Sequence, residues 1–261
     1  LDRNNLRPFQ CTEDPKQPGV PSPSQLAVSC IGDELKIATN GIAKIFAISP
    51  FADMAVLSAG HAADGALWLN EKTGQWTMSQ YYSNSTPQWI LDFNGLYNTS
   101  NRQKRIEWQP LVVKQKPDFR HVFKGNKRFL EYQTSGLINA DITALALTCV
   151  SQQDMGADDI TDLLCLTYYA GHFDHKPVTE CQKELEDTYI RLDKEIDNLI
   201  SQLESKIGKE QVLFVITSTG YSDPDGIDYT PYRIPTGTFY MNRAANLLNM
   251  YYGALWGQGR Y

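Results

Sequence analysis

The stretch LCLTYYAGHFDHKPVTECQKELEDTYIRLD, residues Leu164–Asp193, joins the end of a strand to the start of a long helix. Leu163–Tyr168 is a continuous apolar run, which is typical of a strand buried on both faces of a parallel sheet. From Leu185 to Ile207, apolar residues recur at spacings of three and four, which predicts an amphipathic helix ending at Gly208. Val212–Thr217 then predicts a second buried strand, so the whole segment is a predicted βαβ unit.

The rest of the chain alternates strands and helices in the same way. We therefore predict an α/β fold with a mostly parallel sheet flanked by helices, in a single domain over residues 1–261. Residues 98–128 are polar, basic and strand-poor, which predicts a small insertion or cap on one edge. The other predicted elements are a helix over Gln25–Ala38 with Ser24 as its N-cap, a strand over Lys44–Ser49, a hairpin from Gly65–Leu69 and Gln75–Ser79, and a helix over Leu137–Val150.

Composition excludes several classes of protein. The 261 residues are 42% hydrophobic and 21% charged, which is ordinary for a globular protein. A formal net charge of −6 argues against a nucleic-acid polymer as partner. No apolar run approaches the ~18 residues of a membrane span. Because the chain begins at Leu1 rather than Met, we expect a processed or truncated piece.

Five cysteines occur without any C-x-x-C pair, so a zinc ribbon has no support. Cys149 and Cys165 lie in apolar runs and are predicted to be buried free thiols. A catalytic thiol is disfavoured because no neighbour in the sequence would lower its pKa. One disulfide elsewhere stays open.

Several motifs in order resemble the type I phosphodiesterase/nucleotide pyrophosphatase branch of the alkaline phosphatase superfamily. In that family a strand ends in T-D-Y-x-G-H, a helix carries E-D-T-Y-x-R-L-D, and the next strand ends in T-A-D-H-G. Here Glu186–Asp193 reads EDTYIRLD, and Ala59–Asp64 reads AGHAAD, which is similar to the family's A-G-H-x-A-D. The resemblance implies an alkaline phosphatase-like core, incomplete in this chain.

The family hydrolyses phosphate esters with two zinc ions held by six Asp and His residues, beside a Thr or Ser nucleophile. In this chain the motif positions are mostly substituted. Tyr168 occupies an Asp position, His172 matches a His ligand, and Thr219 and Gly220 occupy the next Asp and His positions. The nucleophile region and the last His fall outside the chain, so the resemblance implies no catalytic residue here.

A single imidazole cannot hold zinc tightly, because stable sites need three or four protein ligands. We therefore expect no cofactor for this chain and treat His172 as a vestigial ligand. The family's K-D-R segment, which supplies cations to the phosphoryl group, aligns with Phe51, Ala52 and Asp53. A phenyl ring cannot donate a hydrogen bond, and a carboxylate would repel a phosphate.

Simpler interpretations stand beside these. His172 could be a partly buried structural histidine, or it could form a weak metal site with Asp174 and His175. His61 is predicted to make a structural hydrogen bond, and His121 to be exposed. A turn is predicted at Asp223–Gly226. A solvated or ion-paired helix face is predicted for Glu186, Asp187, Arg191 and Asp193.

Three functions follow from this sequence. The first is a family member without catalytic activity whose cleft binds a small molecule or protein, or serves regulation. The second is an active phosphohydrolase completed by segments outside this chain. The third is a sugar or nucleotide binding module that uses the aromatic residues near the C-terminus. The family resemblance implies a periplasmic or secreted protein, and the oligomeric state stays open.

Overall fold

The computed structural model describes residues 11–97, 104–113, 116–218, 220 and 241–257. The chain divides into two units, Leu1–Ser222 and Asp223–Tyr261. The strands are β1 (Glu13–Asp14), β2 (Gln17–Pro21), β3 (Ile45–Ser49), β4 (Gly65–Leu69), β5 (Trp76–Met78), β6 (Ile106–Trp108), β7 (His121–Phe123) and β8 (Leu163–Leu166). The helices are α1 (Ile31–Ala38), α2 (Ala52–Ala59), α3 (Gln88–Tyr97), α4 (Arg128–Gln133), α5 (Ile138–Gln152), α6 (Val178–Ile207) and α7 (Met241–Trp256).

The central sheet of the first unit has the strand order β5-β4-β3-β8. Strand β3 pairs in parallel with both β4 and β8, and β5 closes the far side as an antiparallel strand. All five residues of β3 are buried, as expected for a strand with neighbours on both sides. The predicted α/β class with a mostly parallel sheet is confirmed.

The main core lies between the central sheet, α5, and aromatic side chains from segments before and after α5 in the chain. Ile48, Leu67, Ile138 and Leu145 are fully buried there, and Trp108 is buried with them. A second, smaller cluster of small side chains packs α2 against β3 and β4. Cys149 is buried and Cys165 is half-buried, and both are free thiols.

The first helix is shorter than predicted. It begins at Ile31 instead of Gln25, and Ser24 bonds with Ser22 rather than capping a helix. The backbone N–H of Cys30 donates to the Asp33 carboxylate over 2.8 Å, which satisfies an orphan donor at the helix start. This side-chain acceptor three residues into the segment sets the beginning of α1.

The prediction of a buried strand at Val212–Thr217 is wrong. The segment is extended at Val212, but it pairs with no strand within the described residues. Val215 and Ile216 are 80% and 72% exposed, whereas Phe214 packs on the core. Apolar, β-branched residues favour a strand only where a neighbouring backbone is present to accept the ladder of hydrogen bonds.

The predicted insertion is not strand-poor. Strands β6 and β7 form an antiparallel pair, which we call the ribbon, and Trp108 lies opposite His121. Trp108 and Phe123 point into the main core, so the ribbon is anchored rather than loose. Alternation of buried Ile106, exposed Glu107 and buried Trp108 is the ordinary pattern of a half-buried strand.

The second unit is described only through α7. Its apolar side chains Leu247, Met250 and Trp256 are between 63% and 69% exposed, and the Tyr252 and Trp256 rings stack at 5.0 Å. Among the described residues, no helix has both the length and the apolar character that a membrane crossing requires. The single-domain organisation over residues 1–261 stays a prediction.

Candidate functional site

The carboxyl ends of β3 and β8 lie side by side because the two strands are parallel neighbours. Phe51 follows β3 by two residues, and Tyr168 and Tyr169 follow β8. The Phe51 and Tyr169 rings meet edge to face with centroids 6.2 Å apart. Ligands of open α/β sheets bind at this edge, so the structure brings sequence-predicted positions together where a site is expected.

Tyr168 is the half-buried phenol at the position where the resemblance places an Asp ligand. Its hydroxyl lies 2.9 Å from the hydroxyl of Thr143 on α5. Burial raises the pKa of Tyr168 to about 12, although the Thr143 hydrogen bond opposes this. The side chain is therefore a neutral phenol at physiological pH and offers no anionic oxygen to a metal ion.

A buried amide fixes the backbone beyond β8. Asn139 donates from Nδ2 to the Tyr169 carbonyl over 2.9 Å and accepts the Tyr169 N–H over 2.8 Å. The Tyr169 hydroxyl donates to the carbonyl of His172 over 2.6 Å. Asn139 and Thr143 lie four residues apart on one face of α5, a spacing visible in the sequence, but their partners follow only from the fold.

His172 lies in the turn between β8 and α6 and is half-buried. Its Nδ1 lies 3.0 Å from the Lys176 carbonyl, which can only accept, so Nδ1 carries the proton. Asp174 and His175 are exposed and adopt positive φ angles of 53° and 55°. The geometry supports the structural interpretation of His172.

The other degenerate positions have ordinary environments. Asp53 is exposed in the first turn of α2, where its carboxylate accepts the Met54 N–H and complements the helix dipole. Thr219 lies outside the described residues. Gly220 is exposed, and a side chain there would meet nothing within 4 Å.

Comparison with known proteins agrees with this geometry. The sequence model of the type I phosphodiesterase/nucleotide pyrophosphatase family matches residues 11–225, which is most of the chain. The chain belongs to that family. Alkaline phosphatase PafA of Elizabethkingia meningoseptica is 29% identical over 85% of this chain. Alkaline phosphatase PhoV of Synechococcus elongatus is 30% identical over 77% of it.

The family fold is confirmed by a solved structure. The crystal structure of wild-type alkaline phosphatase PafA aligns with 91% of this chain at a TM-score of 0.61 and 25% identity, and 49% of that chain is covered. Only 44% of the PafA sequence and 40% of the PhoV sequence are covered. The chain thus spans about half the length, or less, of the relatives it matches.

Of the positions that the resemblance aligns with zinc ligands, the structure describes Tyr168, His172 and Gly220, and these three residues alone do not fit a pair of zinc ions. Among the described residues, no three His, Cys, Asp or Glu side chains come together as a metal-binding group. Tyr168 is bound to Thr143, and the Phe51 ring packs on Tyr169 where a cationic donor would be needed. We therefore derive no reaction step through zinc for this chain.

A separate polar cluster lies before β4, on the amino side of the sheet. Asp33 accepts the backbone N–H groups of Cys30, His61 and Ala62 at 2.7–2.8 Å, and its Oδ2 lies 3.1 Å from His61 Nδ1. The predicted structural role of His61 agrees with these contacts. The cluster borders a shallow cavity of about 520 Å³, whose other walls include Leu26, Val28, Lys36 and Ile37.

Asp33 makes stability depend on acid pH. Burial alone raises its pKa, but the three N–H donors and the His61 ring outweigh burial, and the net pKa lies below the ordinary Asp value. A depressed folded-state pKa contributes stability above the unfolded pKa, and this stability is lost as pH falls through the folded pKa.

We expect Asp33→Asn to lower the free energy of unfolding at pH 7 by roughly 2–3 kcal/mol, because hydrogen bonds to a charged acceptor are lost. The difference from the unsubstituted protein should begin to shrink as pH falls below about 4, where the unfolded chain binds a proton at this position first, and should disappear only below the depressed folded-state pKa of Asp33. Urea unfolding at several pH values measures this. A difference that stays constant with pH would contradict it.

Proposed function

We propose that this chain is a catalytically degenerate member of the type I phosphodiesterase/nucleotide pyrophosphatase family, and that its role is binding or regulation. The observation that carries the proposal is Tyr168. Where the family pattern has a carboxylate ligand, this chain has a neutral phenol bound to Thr143. Loss of an anionic oxygen at a zinc position removes a ligand that neither neighbouring strand replaces.

The neighbouring positions support the same proposal. Phe51 replaces a cationic donor, and its ring is used in packing against Tyr169. His172 is held through Nδ1 by the Lys176 carbonyl. The altered side chains form a consistent apolar and hydrogen-bonded set, so the carboxyl edge of the sheet is retained as a scaffold. A small molecule or protein is the proposed partner, and the proposed location is periplasmic or secreted.

Zinc content of the metal-stripped and reconstituted chain tests the proposal. We expect essentially no tightly bound zinc, measured by elemental analysis after exhaustive dialysis against a weak chelator. A Tyr168→Asp variant serves as the matched comparison, because it restores one anionic oxygen at the same position. About two zinc ions per chain in the unsubstituted protein, as a two-metal phosphatase requires, would overturn the proposal.

A second function is an active phosphohydrolase completed by segments outside this chain. Two observations favour it. The chain covers about half or less of the two alkaline phosphatases it matches, and Val212–Ser218 is mostly exposed and has no paired strand among the described residues. Phosphatase activity of the full-length protein tests it, and the Tyr168 position argues against it because added segments cannot change that side chain.

A further inference from the structure

His121 on β7 lies in an aromatic enclosure beside a buried carboxylate. Its ring centroid is 4.7 Å from that of Phe173, 5.4 Å from Phe119 and 5.8 Å from Trp108. Its Nε2 lies 2.7 Å from Oε1 of Glu184 on α6. The His121 side chain is 29% exposed and that of Glu184 is 11% exposed, so the prediction of an exposed histidine is wrong.

We propose that the His121–Glu184 pair is a pH-sensitive contact that holds the ribbon against α6 and against the turn after β8. His121 on the ribbon contacts two other elements. It bonds to Glu184 on α6 and packs against Phe173 in the turn after β8. When the imidazole is protonated, its hydrogen bond to the carboxylate is charge-assisted and roughly twice as strong as a neutral one. The aromatic faces around the ring also favour a cation.

The sign of the effect follows from the partner. Histidine is the side chain that changes charge between about pH 5 and 8. A protonated ring forms an ion pair with the Glu184 carboxylate, whereas a neutral ring keeps only an ordinary hydrogen bond. The contact is therefore strongest at the acid end and weakens as pH rises, while the fold itself is maintained.

Charges on every neighbouring element bear on this contact. On α4, Glu131 interacts with His121, and burial followed by the Asp174 charge raises the pKa of Glu131. Further titratable or charged groups on these elements include Glu180, Cys181, Lys183 and Asp187 on α6, Asp174 and Lys176 in the turn after β8, Lys127 before α4, and Glu107, Arg105 and Arg120 on the outer side of the ribbon. Because the pKa of Glu131 is raised, the test includes a variant at Glu131 as well as one at His121.

Hydrogen exchange of the whole chain, measured by mass spectrometry between pH 5.5 and 8.0, tests the proposal. Rates are corrected for the intrinsic pH dependence of amide exchange, and peptides covering β6 and β7 are compared with peptides covering β3. We expect ribbon protection to fall about five- to tenfold from pH 5.5 to 8.0, the change given by one charge-assisted hydrogen bond. The β3 peptides should not change.

Three variants assign the effect. His121→Gln keeps a hydrogen-bond donor without a charge and should abolish the pH step in the ribbon. Glu131→Gln and Glu107→Gln are controls that leave His121 and Glu184 in place, and both should keep the step. A step that persists in His121→Gln, or that disappears in Glu131→Gln, would overturn the proposal, as would equal ribbon protection at both pH values in the unsubstituted protein.

Discussion

Replacing Asp187 by alanine is expected to lower the free energy of unfolding by about 3–5 kcal/mol, the loss typical of removing one partner of a buried ion pair. The Asp187 side chain is 3% exposed and accepts three hydrogen bonds. They come from Trp108 Nε1 at 2.6 Å, the Leu111 N–H at 2.6 Å and Arg191 Nε at 2.7 Å. Alanine would leave the buried indole N–H without its acceptor and would release the ribbon from α6.

The control for this variant lies one residue earlier. Glu186 is a carboxylate on the same helix, but its side chain is 59% exposed and pairs with Lys183 across the helix surface. Glu186→Ala should change stability by less than about 0.5 kcal/mol. Urea unfolding measures both variants. The slope of the free energy of unfolding against urea concentration should be the same as in the unsubstituted protein. If the two variants lose the same small amount, Asp187 does not anchor the ribbon.

A double-mutant cycle separates the ion pair from the other two hydrogen bonds. Arg191 also donates to the Gln109 carbonyl, so Arg191→Ala alone removes two contacts, one to Asp187 on the same helix and one to the residue after β6. The coupling between Asp187→Ala and Arg191→Ala should be about 0.5–3 kcal/mol, as for residues in direct contact. A coupling near zero would assign the whole effect to Trp108 and Leu111.

The environment of Asp187 shows which part of the molecule the sequence could predict. The apolar periodicity from Leu185 to Ile207 correctly predicts α6 and its stop at Gly208, because both depend on local spacing and backbone conformation. Asp187 is predicted to lie on a solvated or ion-paired face, and it is ion-paired with Arg191, but the sequence does not predict its burial. Asp187 is ion-paired but buried, because its partners Trp108, on β6, and Leu111, just after β6, lie 76 or more residues earlier in the chain. No local sequence pattern predicts a contact between residues so far apart in the chain.

In the candidate site, too, the sequence predicts positions but not the contacts that the fold brings about. Tyr168 and Phe51 are predicted positions, since the motif order and the parallel pairing of β3 with β8 place both at one edge. The hydrogen bond of Tyr168 and the ring contact of Phe51 could not be predicted, because Thr143 lies on α5 and the Phe51–Tyr169 distance depends on the register of two strands. The prediction of a strand at Val212–Thr217 is wrong for a related reason. A strand requires a neighbouring strand to pair with, and the sequence of one segment does not show whether that neighbour is present.

Gly74 carries the second large expected effect. It lies in the turn between β4 and β5, where its N–H donates to the Asn70 carbonyl over 2.7 Å and its φ is +68°. A Cβ placed on this backbone would lie 2.1 Å from the ring of Phe129. Phe129 is 1% exposed and belongs to the main core, so the ring cannot move aside without disturbing its neighbours.

Gly74→Ala is therefore expected to lower the free energy of unfolding by about 3–4 kcal/mol, from about 1 kcal/mol of left-handed backbone strain and up to about 3 kcal/mol of overpacking. Gly125→Ala is the matched control. Gly125 has a φ of +73°, but a Cβ there would meet nothing within 4 Å, so only the backbone cost of about 1 kcal/mol applies. Urea unfolding of both variants isolates the steric part as the difference between them. Adding Phe129→Leu to Gly74→Ala should recover part of that difference, and equal losses in the two glycine variants would show that the Phe129 ring yields without cost.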